Sequence, residues 1–189
     1  MGWSSGDISK LIDALFVHVE RMLREGLADG IGEVGRPHFQ AKPEHVLLAE
    51  KAMARAMELA KDYGVPVHLH LENLGELTVS TVAPLARAAG IAKKVVVHHA
   101  YGKTLKAAIA AGLGATAPVR KGVLEALKNA PAYAFESDFL DDPKRPGVVA
   151  YPWEVASVVN ELVDSEVASA EYMYKVNVDV VCDLFDVEY

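Results

Sequence analysis

Cysteine is nearly missing from this chain of 189 residues: Cys182 is the only one. A single thiol excludes a disulfide framework and any zinc module built on several cysteines, and it fits a reducing compartment. Basic residues are outnumbered, 19 Lys and Arg against 26 Asp and Glu, for a formal net charge of -7. That balance argues against a broad electrostatic footprint on nucleic acid, while leaving room for a small basic site or a metal-bridged phosphate. No apolar run approaches the ~20 residues that a membrane-spanning helix needs. Residues 1–10 show no basic segment leading into an apolar one, so no signal peptide is read there. These shortages together predict a soluble, cytoplasmic protein with no membrane partner.

What the chain does have is apolar residues, 51% of the total, enough for one sizeable core in a single domain spanning 1–189. Ile8, Leu11, Ile12, Leu15, Val19, Met22 and Leu23 recur at three- and four-residue spacing, which predicts a helix over 7–25 stopped by Gly26. A short apolar segment, 28–35, follows as a candidate strand. A helix over 43–63 is closed by Gly64, and the β-branched run 65–71 suits a strand. The rhythm then repeats: helix 78–89, strand 94–98, helix 103–111, strand 114–118, helix 121–129 and strand 132–137. A Pro- and Asp-rich loop, 138–152, leads to helices over 154–163 and 171–184, expected to pack on the outside of the sheet. Strands alternating with helices predict βαβ units and a parallel sheet of five strands, near residues 31, 67, 96, 116 and 135. Trp153, Tyr172, Tyr174 and Cys182 read as packing residues.

In parallel α/β folds the site lies at the carboxyl ends of the strands. The first strand ends in Glu33, the second in His70, the third in His98 and the fifth in Asp138; the fourth ends in Ala117-Pro118, which offers no ligand. Two imidazoles and two carboxylates on one rim are a donor set for a divalent ion such as Zn, Mn, Ni or Mg. Each alone is more often a satisfied rim histidine or a solvated acid; the joint pattern is what points to metal. His68, two residues before His70, shares its face and reads as a buried polar group under the site, with an H-x-H ligand role as the alternative. His99 would point away from His98 and reads as a surface residue, and His18 and His45 as structural or solvated. Arg120 and Lys121 could meet a substrate anion or simply be solvated charges.

The motifs then resemble a family. Ile31-Gly32-Glu33-Val34-Gly35 is similar to the I-G-E-x-G motif of TatD-like metal-dependent hydrolases, barrels of the amidohydrolase superfamily. Pro66-Val67-His68-Leu69-His70, Val95-Val96-Val97-His98 and Phe135-Glu136-Ser137-Asp138 resemble its metal-binding strands and E-T-D motif. A TatD-related group of predicted archaeal hydrolases looks closest, through Gly35-Arg36-Pro37-His38, Leu69-His70 with Glu72, and Asp141-Asp142-Pro143-Lys144-Arg145-Pro146-Gly147.

The resemblance implies an α/β fold of (β/α) TIM-barrel type. Glu33 would be shared between two ions and take part in catalysis, His70 and His98 would bind one ion, and Asp138 would bind the other and act as general base. His38, Glu72, Arg145 and His68 would face substrate or support the ligands. One or two divalent ions (Zn, Mg, Mn or Ni) are the expected cofactor. The family also begins with a strand ending in H-x-H, absent here, so about three βα units would be missing from the front and the barrel truncated to about five strands. Unpaired edges would then favour a homo-oligomer. The implied activity is attack of metal-activated water on a phosphodiester, as in a deoxyribonuclease, or on another ester or amide bond, so DNA or a small ester or amide is the expected partner. The alternative is a non-catalytic, degenerate metal-binding subunit that only oligomerises.

Overall fold

The computed structural model describes residues 4–189; the first three positions of the amino-terminal stretch that was screened for a signal peptide lie outside the described residues. Five parallel strands form one sheet in the order β1-β2-β3-β4-β5. They are β1 (Ile31–Gly35), β2 (Val67–His70), β3 (Val95–Val97), β4 (Gly114–Pro118) and β5 (Ala134–Glu136). Each strand pairs with the next in the chain and every step goes the same way. Right-handed crossovers repeated in one direction put the connecting helices on one face, which is the winding of a (β/α) barrel and not of a doubly wound sheet. The fold is thus α/β of TIM-barrel type, carried by five strands that do not close.

The helices follow from apolar periodicity and punctuation. α1 (Ser5–Arg24) opens with a capping box, in which the Ser4 side chain accepts from the Asp7 amide and Asp7 reaches back to Ser4. α2 (Pro43–Tyr63) starts on a proline and ends at Gly64, whose φ of 70° closes the helix in a left-handed turn. α3 (Glu76–Ala89) and α4 (Gly102–Ala110) complete the ring beside β2 to β4. Alternate strand residues Val67, Leu69, Val95, Val97, Ala115, Ala117 and Phe135 face these helices and form the main core with Met53, Met57, Val82 and Leu105.

Two expectations change. The helix anticipated over 121–129 shrinks to α5 (Val123–Ala126). Gly122 sits at φ 80° and starts it late, and the Asn129 amide donates to the carbonyls of Glu125 and Ala126 and ends it early. The carboxy-terminal region forms α6 (Glu154–Asp164), α7 (Ala170–Tyr174), a π turn (Lys175–Asp179) and α8 (Val180–Phe185). α6 and α7 pack with the main core through Leu162 and Met173, as expected of outer helices. α8 does not. Its Leu184 forms a second cluster with Val96 and Ala134, on the opposite face of the sheet. Five strands leave that concave face uncovered, and Gly114 admits the helix: a Cβ there would lie 2.6 Å from Leu184 Cδ2. The π turn carries the chain from one face to the other.

The exposed aromatics also differ from expectation. Trp153 is 66% and Tyr174 53% exposed, and Trp153 stacks on Tyr151 with ring centroids 4.6 Å apart. Tyr172 does pack, its hydroxyl donating to the Asn129 carbonyl and lying 3.1 Å from the Tyr133 hydroxyl.

Candidate metal centre

The face that α8 covers at its amino-terminal end carries the site at its carboxyl end. His68 pairs in register with Val96, which pairs with Gly114. One pleat further along that face lie His70 and His98. The ladder runs on past β3, with the His98 amide donating to the Leu69 carbonyl at 3.0 Å, so the backbone of His98 is fixed by the sheet itself. Gly35 lies hard against β2: a Cβ would fall 1.7 Å from the His70 carbonyl oxygen. No side chain fits between these strands, which is why a glycine stands two residues after Glu33.

The four strand-end residues read from the sequence converge. His98 Nε2 lies 3.0 Å from Glu33 Oε1 and 3.3 Å from Asp138 Oδ1, and His70 Nδ1 lies 3.0 Å from Glu33 Oε2. His98 is 8% exposed, Asp138 26% and Glu33 47%, so the centre opens from a buried floor to a solvent-facing lip. Asp138 adopts φ 47°, a left-handed conformation that Asp tolerates better than most residues and that clusters at functional sites.

Two residues were given no site role by sequence reasoning. Glu136 accepts from His98 Nδ1 at 2.8 Å, which leaves Nε2 as the atom facing Glu33 and Asp138. A glutamate two residues before Asp138 on the same strand was visible, but its partner on β3 was not. His99, expected at the surface, is half-buried, with its ring 4.3 Å from His70 and 4.6 Å from His98. The face-alternation rule fails because β3 ends at Val97 and His99 takes φ 39°. Its Nε2 lies 3.1 Å from His70 Nδ1.

The remaining predicted residues are spread around this centre. His38 is exposed, with its ring 4.4 Å from that of His70. His68 is half-buried beneath the site, 6.1 Å from His98 and stacked on Phe185. Glu72 is engaged by Arg36, whose Nε and Nη2 donate to it at 2.9 and 2.6 Å, while Nη1 donates to Glu50. Arg145 is exposed and pairs with Asp142 on its own loop. Arg120 pairs with Glu154, and Lys121 lies over the ring of Tyr101.

Electrostatics favour positive charge on the floor and neutral imidazoles at the lip. Burial pushes the His98 pKa down, but Glu136, Glu33 and Asp138 outweigh it and raise the value above the ordinary one. Burial lowers His99 and His38, with neighbouring histidines adding to the effect. The two groups of donors close enough to share an ion are Glu33, His70 and His98, and His38, His70 and His99.

Two buried atoms of the site lack a hydrogen-bond partner, His98 Nε2 and Glu136 Oε1. Buried polar atoms are rarely left so. With Nδ1 donating to Glu136, an unprotonated His98 Nε2 would present its lone pair to two carboxylates, an arrangement that a cation between them satisfies in place of a proton. The donor set thus fits a divalent ion. Among the described residues no helix is long and apolar enough to cross a membrane.

Comparison with known proteins gives matches of three kinds. The model of a family described as TatD related DNase matches residues 1–186. An uncharacterised protein of Methanocaldococcus jannaschii is 26% identical over 179 residues, covering 95% of this chain and 64% of that protein. The structure of the phosphotriesterase homology protein from Escherichia coli, complexed with phosphate in its active site, is similar at a TM-score of 0.61 and 19% identity. That match covers 84% of this chain and 59% of the other, and at such identity it is a likeness of fold. The chain therefore spans 64% and 59% of the lengths of these two relatives.

Proposed function

Because the chain belongs to the TatD-related DNase family, we propose that it is a metal-dependent hydrolase that cleaves phosphodiester bonds at the centre formed by Glu33, His70, His98 and Asp138. One observation carries the reading: His98 Nε2, buried and without a hydrogen bond, faces carboxylate oxygens of Glu33 and Asp138 at 3.0 and 3.3 Å. The phosphate recorded in the active site of the Escherichia coli protein supports a phosphorus ester over an amide as the bond cleaved.

A bound divalent ion supplies Lewis acidity, lowering the pKa of water and taking up charge on a phosphoryl oxygen. Glu33, His70 and His98 would hold it, with Asp138 beside the same His98 Nε2. Glu136 holds His98 in the tautomer with Nε2 free. Asp138, less exposed than Glu33 and held on a turn rather than a flexible stem, takes the proton from the attacking water. His38, exposed beside His70, would hydrogen-bond a substrate phosphate oxygen from the solvent side.

The test is hydrolysis of an oligonucleotide and of an activated phosphodiester in Mg or Mn, with bound metal measured per chain. The expected result is activity that vanishes on chelation and falls about 100- to 10,000-fold in Asp138→Asn, the range for losing a general base. Activity that survives Asp138→Asn would overturn the assigned base. An ion bound without turnover would overturn the hydrolase reading in favour of a binding subunit.

A further inference from the structure

We propose that His38, His70 and His99 form a second metal position, made of imidazoles alone, which selects a borderline transition ion such as Zn, Ni or Co over Mg or Mn. It shares His70 with the hydrolytic centre and adds the exposed His38 and the half-buried His99. Donor atoms of the three residues fall within 4.8 Å of one another. His99 Nε2 lies 3.1 Å from His70 Nδ1 and 3.4 Å from Nε2, and the His38 and His70 rings stand 4.4 Å apart.

The three come from different places, which makes the convergence informative. His38 follows β1, His70 ends β2 and His99 follows β3. His99 reaches the cluster only because its backbone takes φ 39°, a conformation costly for a histidine. Its carbonyl is held there by the Asn73 amide, which donates at 3.3 Å. An ordinary extended residue at this position would point elsewhere.

The chemistry of the donors sets the selectivity. Imidazole suits Zn, Ni, Co and Cu, whereas Mg and Mn prefer carboxylate and water oxygens. The Glu33 position, with its carboxylates, takes the harder ions and the His38 position the softer ones. Since His70 serves both, an ion held by three imidazoles withdraws a donor from the hydrolytic centre.

The test is binding to the full chain, with Ni followed by calorimetry and Mn by its free-ion electron paramagnetic resonance signal. His99→Gln and His38→Gln are expected to weaken Ni binding 10-fold or more and to shift Mn binding less than threefold. Glu33→Gln is expected to do the reverse. His38 is exposed, so its substitution keeps the fold, and circular dichroism checks each variant. Ni binding that moves less than threefold in both histidine variants would overturn the proposal, as would Ni and Mn falling together in all three variants. Failure of oligonucleotide hydrolysis leaves these readouts untouched and bears only on the proposed activity.

Discussion

Glu136 decides what His98 can do. A carboxylate that accepts from Nδ1 fixes the ring and its tautomer, and raises the basicity of Nε2. Replacing Glu136 by Gln keeps the shape and removes the charge. Manganese binding to Glu136→Gln is expected to weaken about 10- to 100-fold, the usual cost of losing such a support; calorimetry reads this directly, and an unchanged affinity would mean that His98 needs no orienting partner. The residue scale also shows where reading the chain stops working. Glu33, His70, His98 and Asp138 were legible because each lies within two residues of a strand's carboxyl end, and those ends share a rim whatever the loops do. The Glu136–His98 pair was not, because it joins β5 to β3 across β4, and no local pattern encodes which side chains meet across an intervening strand. His99 was misplaced for a simpler reason: the period of two holds only while the strand lasts.

At the scale of elements, Arg36 ties the end of β1 to the loop after β2 and to the start of α3. It donates to Glu72, to Glu50, to the hydroxyl of Thr81 and to the carbonyl of Thr78, while only 10% of its side chain is exposed. Burial pushes the Glu72 carboxyl up, but the hydrogen bonds and charge of Arg36 win and hold it below the ordinary value. A carboxylate depressed in the folded state adds stability that is complete above its unfolded pKa of about 4.3 and lost as pH falls through the folded one. Glu72→Gln is therefore expected to lower unfolding free energy by about 1–3 kcal/mol at pH 7. It should also flatten the decline in stability below about pH 4.5; denaturant titrations at pH 7 and pH 4 check both parts, and equal slopes in the two proteins would refute the link. The sequence offered Arg36 and Glu72 as motif residues, with Glu72 expected near substrate or ligands. The long helices were readable from periodicity, since each buries one face on the main core, and the five strands from short apolar or β-branched runs between them. α5 was over-read because Gly122 and Asn129 act through conformation and capping, which apolar spacing does not register.

Over the whole molecule, an open sheet has a concave face that a closed barrel would fill from its far side. Here the chain fills part of it with its own carboxy terminus. Leu184 is 6% exposed and sits on Gly114 and Val96. Leu184→Ala is expected to cost about 2–5 kcal/mol, the range for deleting a buried leucine side chain. Equilibrium unfolding measures it, and a loss under about 0.5 kcal/mol would place Leu184 among near-surface residues instead. This inner seat was beyond sequence reading. The apolar stripe of the last helix was plain, but a stripe states that a face is buried, not which side of the sheet buries it. The consecutive strand order, by contrast, follows from the alternation of strands and helices together with the handedness of crossovers.

That same consecutive order sets a timetable. Glu33 belongs to β1 and Asp138 follows β5, with His70 and His98 between them. On a chain emerging from its amino terminus, the donors become available one βα unit at a time, and the full set exists only when the fifth strand has docked. An ion held by Glu33, His70 and His98 would thus tie β1 to β3 before β5 is in place, and pulling β1 away would also release it, while Asp138 joins the centre only when the fifth strand docks.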